Sequence, residues 1–343
     1  MDYVLLIVIL TIIIALIFDV INGFHDAANS IATVVSTRVL SPKHAVIWAA
    51  FFNFIAMFIF APKVADTISK IIEIDPLDPA FLYVVMMGLI GAIAWDLITW
   101  WWGLPTSSSH ALLGGLAGSG MAYKGLDIIN LHKLEEAMLF IPLAPILGAA
   151  LGFGFMILLY WIFRKWRPYK VDKLFRKGQL VSAALYSLGH GGNDAQKTMG
   201  IIVAILVASG YFSKDIELSL TDWHSLWIIL ACHLAMALGT ALGGWKIVKT
   251  MGMKLTKLKP VHGFAAETAG AFTLFLATAL GIPVSTTHTI SGAIVGVGST
   301  TNASGIKWGT AAKIVIAWVV TIPLSGLVAA ISFWIIQFIH PAF

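Results

Sequence analysis

Long runs without Asp, Glu, Lys or Arg, separated by short polar stretches, set the pattern of this chain. One lies between Asp2 and Asp19, and others cover 45–61, 79–95, 137–163, 223–245 and 314–343. Each can span, or nearly span, a hydrocarbon core that needs roughly 20 apolar residues. The run 268–306 is longer: 39 residues without an acid or base, interrupted at Gly281-Ile282-Pro283. That is too much for one crossing, and it predicts a span followed by a second, broken or re-entrant helix. These intervals suit helices better than the ten-residue alternation of a β-barrel. The expected class is an all-α integral membrane protein.

Composition strengthens this. Hydrophobic residues make up 59% of the 343 and charged residues 11%, more apolar surface than a soluble domain can bury. The start, Met1-Asp2-Tyr3, has no basic region and no small-residue cleavage pattern, so the first run is expected to stay as an anchor. A single cysteine, Cys232, excludes an intramolecular disulfide framework.

The net charge of +5 points to topology rather than to nucleic acid. Residues 164–177 hold seven Lys or Arg against one acid, and 246–259 hold five against none, together 12 of the 22 basic residues. Both stretches are expected as cytoplasmic loops. The segment 62–79, with Asp66, Glu73, Asp75 and Asp78 against Lys63 and Lys70, fits the outside. About five crossings per half, an odd number, would make the two halves inverted. The expected division is a first membrane repeat over 1–163, a basic connecting loop over 164–179 and an inverted repeat over 180–343.

Two polar motifs occur twice, in the same order. Gly23-Phe24-His25-Asp26-Ala27-Ala28-Asn29-Ser30 is echoed by Gly191-Gly192-Asn193-Asp194-Ala195-Gln196-Lys197-Thr198. Gly103-Leu104-Pro105-Thr106-Ser107-Ser108-Ser109-His110 is echoed by Gly281-Ile282-Pro283-Val284-Ser285-Thr286-Thr287-His288. A duplicated chain with breaks at matching places marks a secondary transporter, its site where the halves meet.

An ionised carboxylate in a bilayer costs about 2.5 to 3.5 kcal/mol on insertion scales, so Asp26 and Asp194 need a reason. The glycines and alanines around them predict an unwound backbone, offering carbonyls beside Asn29, Asn193 and Gln196 to a small cation such as Na+. Protonation would neutralise the carboxylates equally well, and capping of helix breaks is the ordinary role of such residues. In the second pair, a proline precedes hydroxyls and an apolar stretch, as at a helix start, where free N–H groups attract an anion. Ser107, Ser108, Ser109, Ser285, Thr286 and Thr287 are therefore candidate oxyanion ligands, against simple capping as the plainer role.

Lys197, three positions after Asp194, can pair with it on one helix face. Gln196-Lys197-Thr198 lacks the glycine and the preceding strand of a nucleotide phosphate loop. His25, His110 and His288 are candidate proton carriers or anion contacts, or simply packed histidines. His190 and His233 are further polar candidates. Glu267 opens the 39-residue run and joins the candidates for a coupling cation or proton. Asp19 and Asp96 are read as lying near a membrane surface.

Taken together, these motifs resemble the inorganic phosphate transporter (PiT) family. The stretches from Gly23 to Asn29 and from Gly191 to Asp194 match its duplicated signature, and Pro283 to His288 match its other repeated motif. Many members have Asn where His25 stands. The His form is similar to the bacterial low-affinity phosphate carriers, several of them proton-coupled and accepting metal-phosphate complexes. The resemblance implies cation-driven symport of inorganic phosphate, inverted repeats, a homodimer and a multi-pass place in the cell membrane, with no cofactor beyond the coupling ion. It implies Asp26, Asn29, Asn193 and Asp194 as cation or phosphate ligands, and the six hydroxyls with Gln196, Lys197 and Thr198 as phosphate contacts.

The expected function is a symporter of phosphate driven by Na+ or H+, working by alternating access. A sulfate symporter of the same architecture and a passive anion channel are the alternatives. An intramembrane hydrolase lacks support, since no HExxH, Cys-rich metal spacing or GxSxG elbow occurs.

Overall fold

The structure, a computed structural model, describes residues 3–69, 80–213 and 216–339, with backbone only at 131–134, 136, 137 and 302. Lys70, Glu73, Asp75 and Asp78 of the acidic stretch, and Met1 and Asp2, lie outside the described residues. No strand occurs among those described.

The helices of the described residues come as two sets of six. The first is α1 (Tyr3–Ser36), α2 (Pro42–Ile55), α3 (Lys63–Ser69), α4 (Ala80–Trp102), α5 (Ser108–Lys124) and α6 (Leu131–Phe163). The second is α7 (Pro168–Ala208), α8 (Trp223–Leu242), α9 (Trp245–Met253), α10 (Pro260–Ala279), α11 (Thr286–Asn302) and α12 (Trp308–Ile339). Long, interrupted, long, short, long is the order in both. Among the described residues, five helices, α1, α4, α6, α8 and α12, are long and apolar enough to cross a membrane. Side chains such as Ile13, Ile17, Leu158, Val319 and Leu327 stand exposed along them, an apolar surface suited to lipid rather than water.

Local chemistry sets the helix starts. Prolines open α2, α7 and α10, and Ser107, Asp222 and Ser285 cap α5, α8 and α11 with their side chains. The basic stretches expected as loops are largely helical: α7 begins at Pro168, and α9 covers 245–253. Lys and Arg favour helix, and Pro168 supplies the pre-set first turn.

One expectation is overturned. The helices are not broken at the aspartate motifs: α1 and α7 run through Asp26 and Asp194 without interruption, so their backbone carbonyls stay within the helices. The glycines serve close crossing instead. A Cβ on Gly23 would collide with the Met236 carbonyl, and one on Gly239 with that of Val20, which locks α8 against α1. Gly191 meets the backbone of Asn53, and Gly200 the carbonyl of Ala65, which brings α2 and α3 onto α7. Small residues let membrane helices approach in this way. The same device joins α5 to α12 through Gly114 and Gly118, and α11 to α6 through Gly292 and Gly296. Each half thus packs its core helices on the other half.

Candidate functional site

The site begins with two turns. α4 and α10 end at Gly103 (φ 68°) and Gly281 (φ 72°), left-handed positions that glycine takes without a Cβ clash. In the first turn, Gly103 N–H donates to Trp100 O and Leu104 N–H to Thr99 O, each at 2.9 Å; in the second, Gly281 donates to Thr278 O at 3.1 Å and Ile282 to Ala277 O at 2.9 Å. These are matching Schellman ends. Pro105 and Pro283 follow, then a new helix starts, with Ser107 accepting from His110 N–H at 3.3 Å and Ser285 from His288 N–H at 3.2 Å.

Each turn is held by the opposite half. Lys63 Nζ donates to Ala279 O at 3.1 Å, and Thr67 Oγ1 to Gly281 O at 2.8 Å. Reciprocally, Lys246 Nζ donates to Trp101 O at 3.2 Å and Thr250 Oγ1 to Gly103 O at 2.8 Å. A cation at a helix C-terminus also offsets the partial negative charge there. Lys246 lies over the Trp101 ring at 3.9 Å.

The two restarted helices bring their hydroxyls to the aspartates. Thr286 Oγ1 donates to Asp194 Oδ2 at 3.0 Å, Thr287 Oγ1 to Asp26 Oδ2 at 3.4 Å and Ser108 Oγ to Asp26 Oδ1 at 3.5 Å. Asn29 Nδ2 donates to Thr287 Oγ1 at 2.9 Å and Thr286 Oγ1 at 3.2 Å, while its Oδ1 has no partner. Lys197 Nζ donates to Asp194, to Ser109 Oγ at 2.5 Å and to Val284 O at 3.0 Å. All these side chains are at least nine-tenths buried.

His25 bridges elements, with Nδ1 at 2.8 Å from Asp26 Oδ1 and Nε2 at 3.0 Å from Thr99 Oγ1. Its counterpart Asn193 donates from Nδ2 to Thr278 Oγ1 at 3.1 Å and Ile282 O at 3.3 Å, again with a free Oδ1. His190 Nε2 stands 3.3 Å from Asp194 Oδ2. Asp26, His190 and Asp194 offer three ligand atoms within 4.8 Å of one another. Two carboxylates and a neutral imidazole so placed could hold a cation, and the free oxygens of Asn29 and Asn193 are further hard donors.

Other sequence candidates sit away from this cluster. Gln196 is occupied elsewhere: its Oε1 accepts from Val64 N–H at 2.8 Å and its Nε2 donates to Ala61 O at 3.1 Å. It borders a cavity of about 330 Å³ that also touches Phe60, Met199, Leu220 and His233. His110 and His288 pack edge to face with centroids 4.7 Å apart, and His288 stacks on Trp318 at 4.0 Å. Glu267 lies in a separate buried cluster, accepting from Thr33 Oγ1 at 2.5 Å, Gln179 Nε2 at 3.0 Å and Ser182. Thr198 Oγ1 and Ser30 Oγ, at matching places in the aspartate motifs, have no hydrogen-bond partner.

Sequence reasoning passed over several residues. Asp19 and Asp96, expected near a surface, are both 0% exposed with neither oxygen hydrogen-bonded. Lys63, Thr67 and Thr250 carried no signal beyond their pairing in space. Tyr186, whose hydroxyl donates to Thr286 O at 2.9 Å, precedes its motif in an ordinary apolar stretch.

Comparison with known proteins decides the family. A match to the phosphate transporter family runs over residues 22–329, which takes in both motif pairs. The chain belongs to the phosphate transporter family. A probable low-affinity inorganic phosphate transporter of Rhizobium meliloti (strain 1021) is 50% identical over 323 residues, covering 94% of each chain. Another so described, from Bacillus subtilis (strain 168), is 45% identical over 346 residues, covering 99% of this chain and 100% of its own. Among solved structures, the sodium-dependent phosphate transporter superposes with a TM-score of 0.85 at 26% identity, covering 97% of this chain and 99% of that one. Family and fold are those of transporters, not enzymes.

Proposed function

We propose that this member of the phosphate transporter family is a cation-coupled symporter of inorganic phosphate, with its site where the starts of α5 and α11 meet Asp26 and Asp194. The observation that carries this reading is the convergence of four hydroxyls, Ser108, Ser109, Thr286 and Thr287, on two buried carboxylates and Lys197. A tetrahedral oxyanion takes hydroxyl donors and helix N–H groups, with Lys197 as the balancing cation. Ser107 and Ser285 shape the two helix starts as caps.

Bringing an anion beside Asp26 and Asp194 is costly unless a cation arrives with it. The cation lowers the repulsion felt by phosphate, and phosphate lowers the cost of the cation's site, so the two bind best together. The donors are Asp26, Asp194 and the free oxygens of Asn29 and Asn193. Na+ suits these hard ligands, and the sodium dependence named for the solved neighbour favours it over H+. The ligand atoms of Asp26, His190 and Asp194, within 4.8 Å of one another, also suit a divalent metal travelling with phosphate.

The matched order of six helices per half, and the crossed packing, support two repeats, 1–163 and 180–343, joined through the basic stretch 164–179. The excess of basic residues at 164–177 and 246–259 supports a cytoplasmic side for those stretches in a multi-pass protein of the cell membrane. Inverted repeats then allow alternating access by movement of one bundle against the other. A homodimer completes the proposed assembly.

Labelled phosphate uptake into proteoliposomes tests this, with Na+ gradient, pH gradient and sulfate competition varied separately. Accumulation of phosphate against its gradient, driven by one cation and resistant to sulfate, is expected. Uptake that ignores both gradients would mean a channel, and full competition by sulfate would move the substrate.

A further inference from the structure

A buried hydroxyl from outside the duplicated motifs reaches the site. Tyr186 lies on α7 two turns before Asp194, fully buried, and its hydroxyl donates to Thr286 O at 2.9 Å. Thr286 is the first residue of α11, directly after the cap Ser285. Its own hydroxyl donates to Asp194 Oδ2 at 3.0 Å and accepts from Asn29 Nδ2 at 3.2 Å. Helix α7 therefore grips one residue at two points, the carbonyl through Tyr186 and the hydroxyl through Asp194.

Packing fixes the phenol in place. Helix α10 passes the ring with Gly270, where an added Cβ would lie 2.6 Å from Cε2 of Tyr186. The first half has neither part: counted from the two motifs, the matching positions hold Phe18, which lacks a hydroxyl, and Ala92, which has a Cβ. The first turn is tied instead by Trp318, whose Nε1 donates to Pro105 O at 2.9 Å, ahead of the hydroxyl run. In the second half the tie lands on a residue that itself bonds a carboxylate.

A threonine pinned by its carbonyl can still turn its side chain. Two χ1 wells are open to it in a helix, so Oγ1 can leave Asp194 for an oxyanion while the α11 backbone stays where it is. A hydroxyl has one proton to donate, and giving it to phosphate withdraws it from Asp194 Oδ2. That oxygen is then free to accept a cation.

We propose that Tyr186 is a positioning residue for coupled binding. It holds the backbone of Thr286 so that the hydroxyl changes partner from Asp194 to phosphate, and phosphate thereby opens a carboxylate oxygen to the coupling cation. Without the phenol hydroxyl, the first turn of α11 shifts toward phosphate as a whole, and the exchange of partners is no longer enforced. A donor held ready also avoids an ordering cost when the ligand arrives.

This rests on the symport reading with Na+, and the test separates the two. Binding of radioactive phosphate to the purified full-length protein is measured over a series of Na+ concentrations, for wild type, Tyr186→Phe, Gly270→Ala and the double variant. In the wild type the Kd for phosphate should fall as Na+ rises, because linked ligands favour each other reciprocally. Tyr186→Phe keeps the ring and removes the hydroxyl. It should weaken phosphate at saturating Na+ by roughly three- to tenfold, the size of one hydrogen bond, and flatten the dependence on Na+. Gly270→Ala displaces the ring and should act alike on the wild type, yet add nothing to Tyr186→Phe. If Gly270→Ala does not fold, Tyr186→Phe decides alone. A phenol that only supports the fold would lower the melting temperature and leave the Na+ dependence as steep as before; that result, or an unchanged Kd, overturns the role. A wild type that binds phosphate equally at every Na+ concentration would sink the symport reading, and the role with it.

Discussion

The two aspartate motifs occupy matching places, but they are equipped differently. In the second half, Asp194 has a lysine bonded to it and a histidine one turn before it. In the first, Asp26 has His25 beside it and, where the lysine would stand, Asn29, which bonds the hydroxyls of Thr286 and Thr287 instead. The second motif holds a countercharge against its carboxylate, and the first holds two hydroxyls through Asn29 in the matching position.

Several substitutions sharpen or break that contrast. The largest effect is expected from Asp194→Asn, which strands Lys197 as a buried unpaired charge. Breaking such a pair costs about 3–5 kcal/mol of folding stability, and gradient-driven uptake in proteoliposomes should vanish. Wild-type rates in that variant would remove Asp194 from the mechanism.

Lys197→Met should come close to it, while Asn29→Ala loses two neutral hydrogen bonds of about 0.5–1.5 kcal/mol each. Phosphate affinity, measured side by side, is expected to fall at least tenfold further in the lysine variant. Equal losses would show that the halves share the anion evenly.

Packing gives a middle-sized effect. Gly23→Val forces a side chain into the backbone of α8, with a cost of about 1–3 kcal/mol or more, whereas Gly154→Ala enters open space and should be neutral or stabilising. Thermal unfolding in detergent distinguishes them. If Gly23→Val melts like the wild type, close crossing is not what that glycine provides.

The reciprocal turn contacts predict symmetry where the motifs predict its absence. Thr67→Val and Thr250→Val each remove the hydrogen bond to the opposite half's turn, of about 1 kcal/mol, so both should raise the KM for phosphate by a similar, several-fold factor. A change in only one would mean that the two turns are not equivalent.

The smallest effect concerns Asp222, the cap of α8. Its carboxylate is held below the ordinary range by the His224 backbone N–H, so its contribution is present at neutral pH and disappears as pH falls through that lowered value. The stability gap between wild type and Asp222→Ala should close in acid. A gap that persists there would assign the effect to something other than the ionised cap.

Much of this was legible because polar residues are rare in the chain. A proline between glycine and hydroxyls announces a helix end and a restart, and both turns lie where the sequence put them. The aspartate motifs misled in one respect: glycine beside Asp26 and Asp194 reads as backbone freedom, yet here it creates contact between helices. That difference depends on Met236 and Asn53, far away in sequence. Asp19 and Asp96 went unvalued for the same reason, since burial of an acid between α1, α7 and α8, or beside His25, is a property of packing. The expectation for Gln196 came from its neighbours in the motif, but its amide bonds Ala61, just before α3, and Val64 in the first turn of α3.

The reciprocal anchoring of the two turns also bears on biosynthesis. While the ribosome is still making the second half, the turn at Gly103 has neither Lys246 nor Thr250 to hold it. The first half must wait in the membrane with that turn unsecured, and the pocket becomes whole only when the later helices insert. A chain cut between α6 and α7 should therefore regain uptake when both pieces are co-expressed, and neither piece should bind substrate alone.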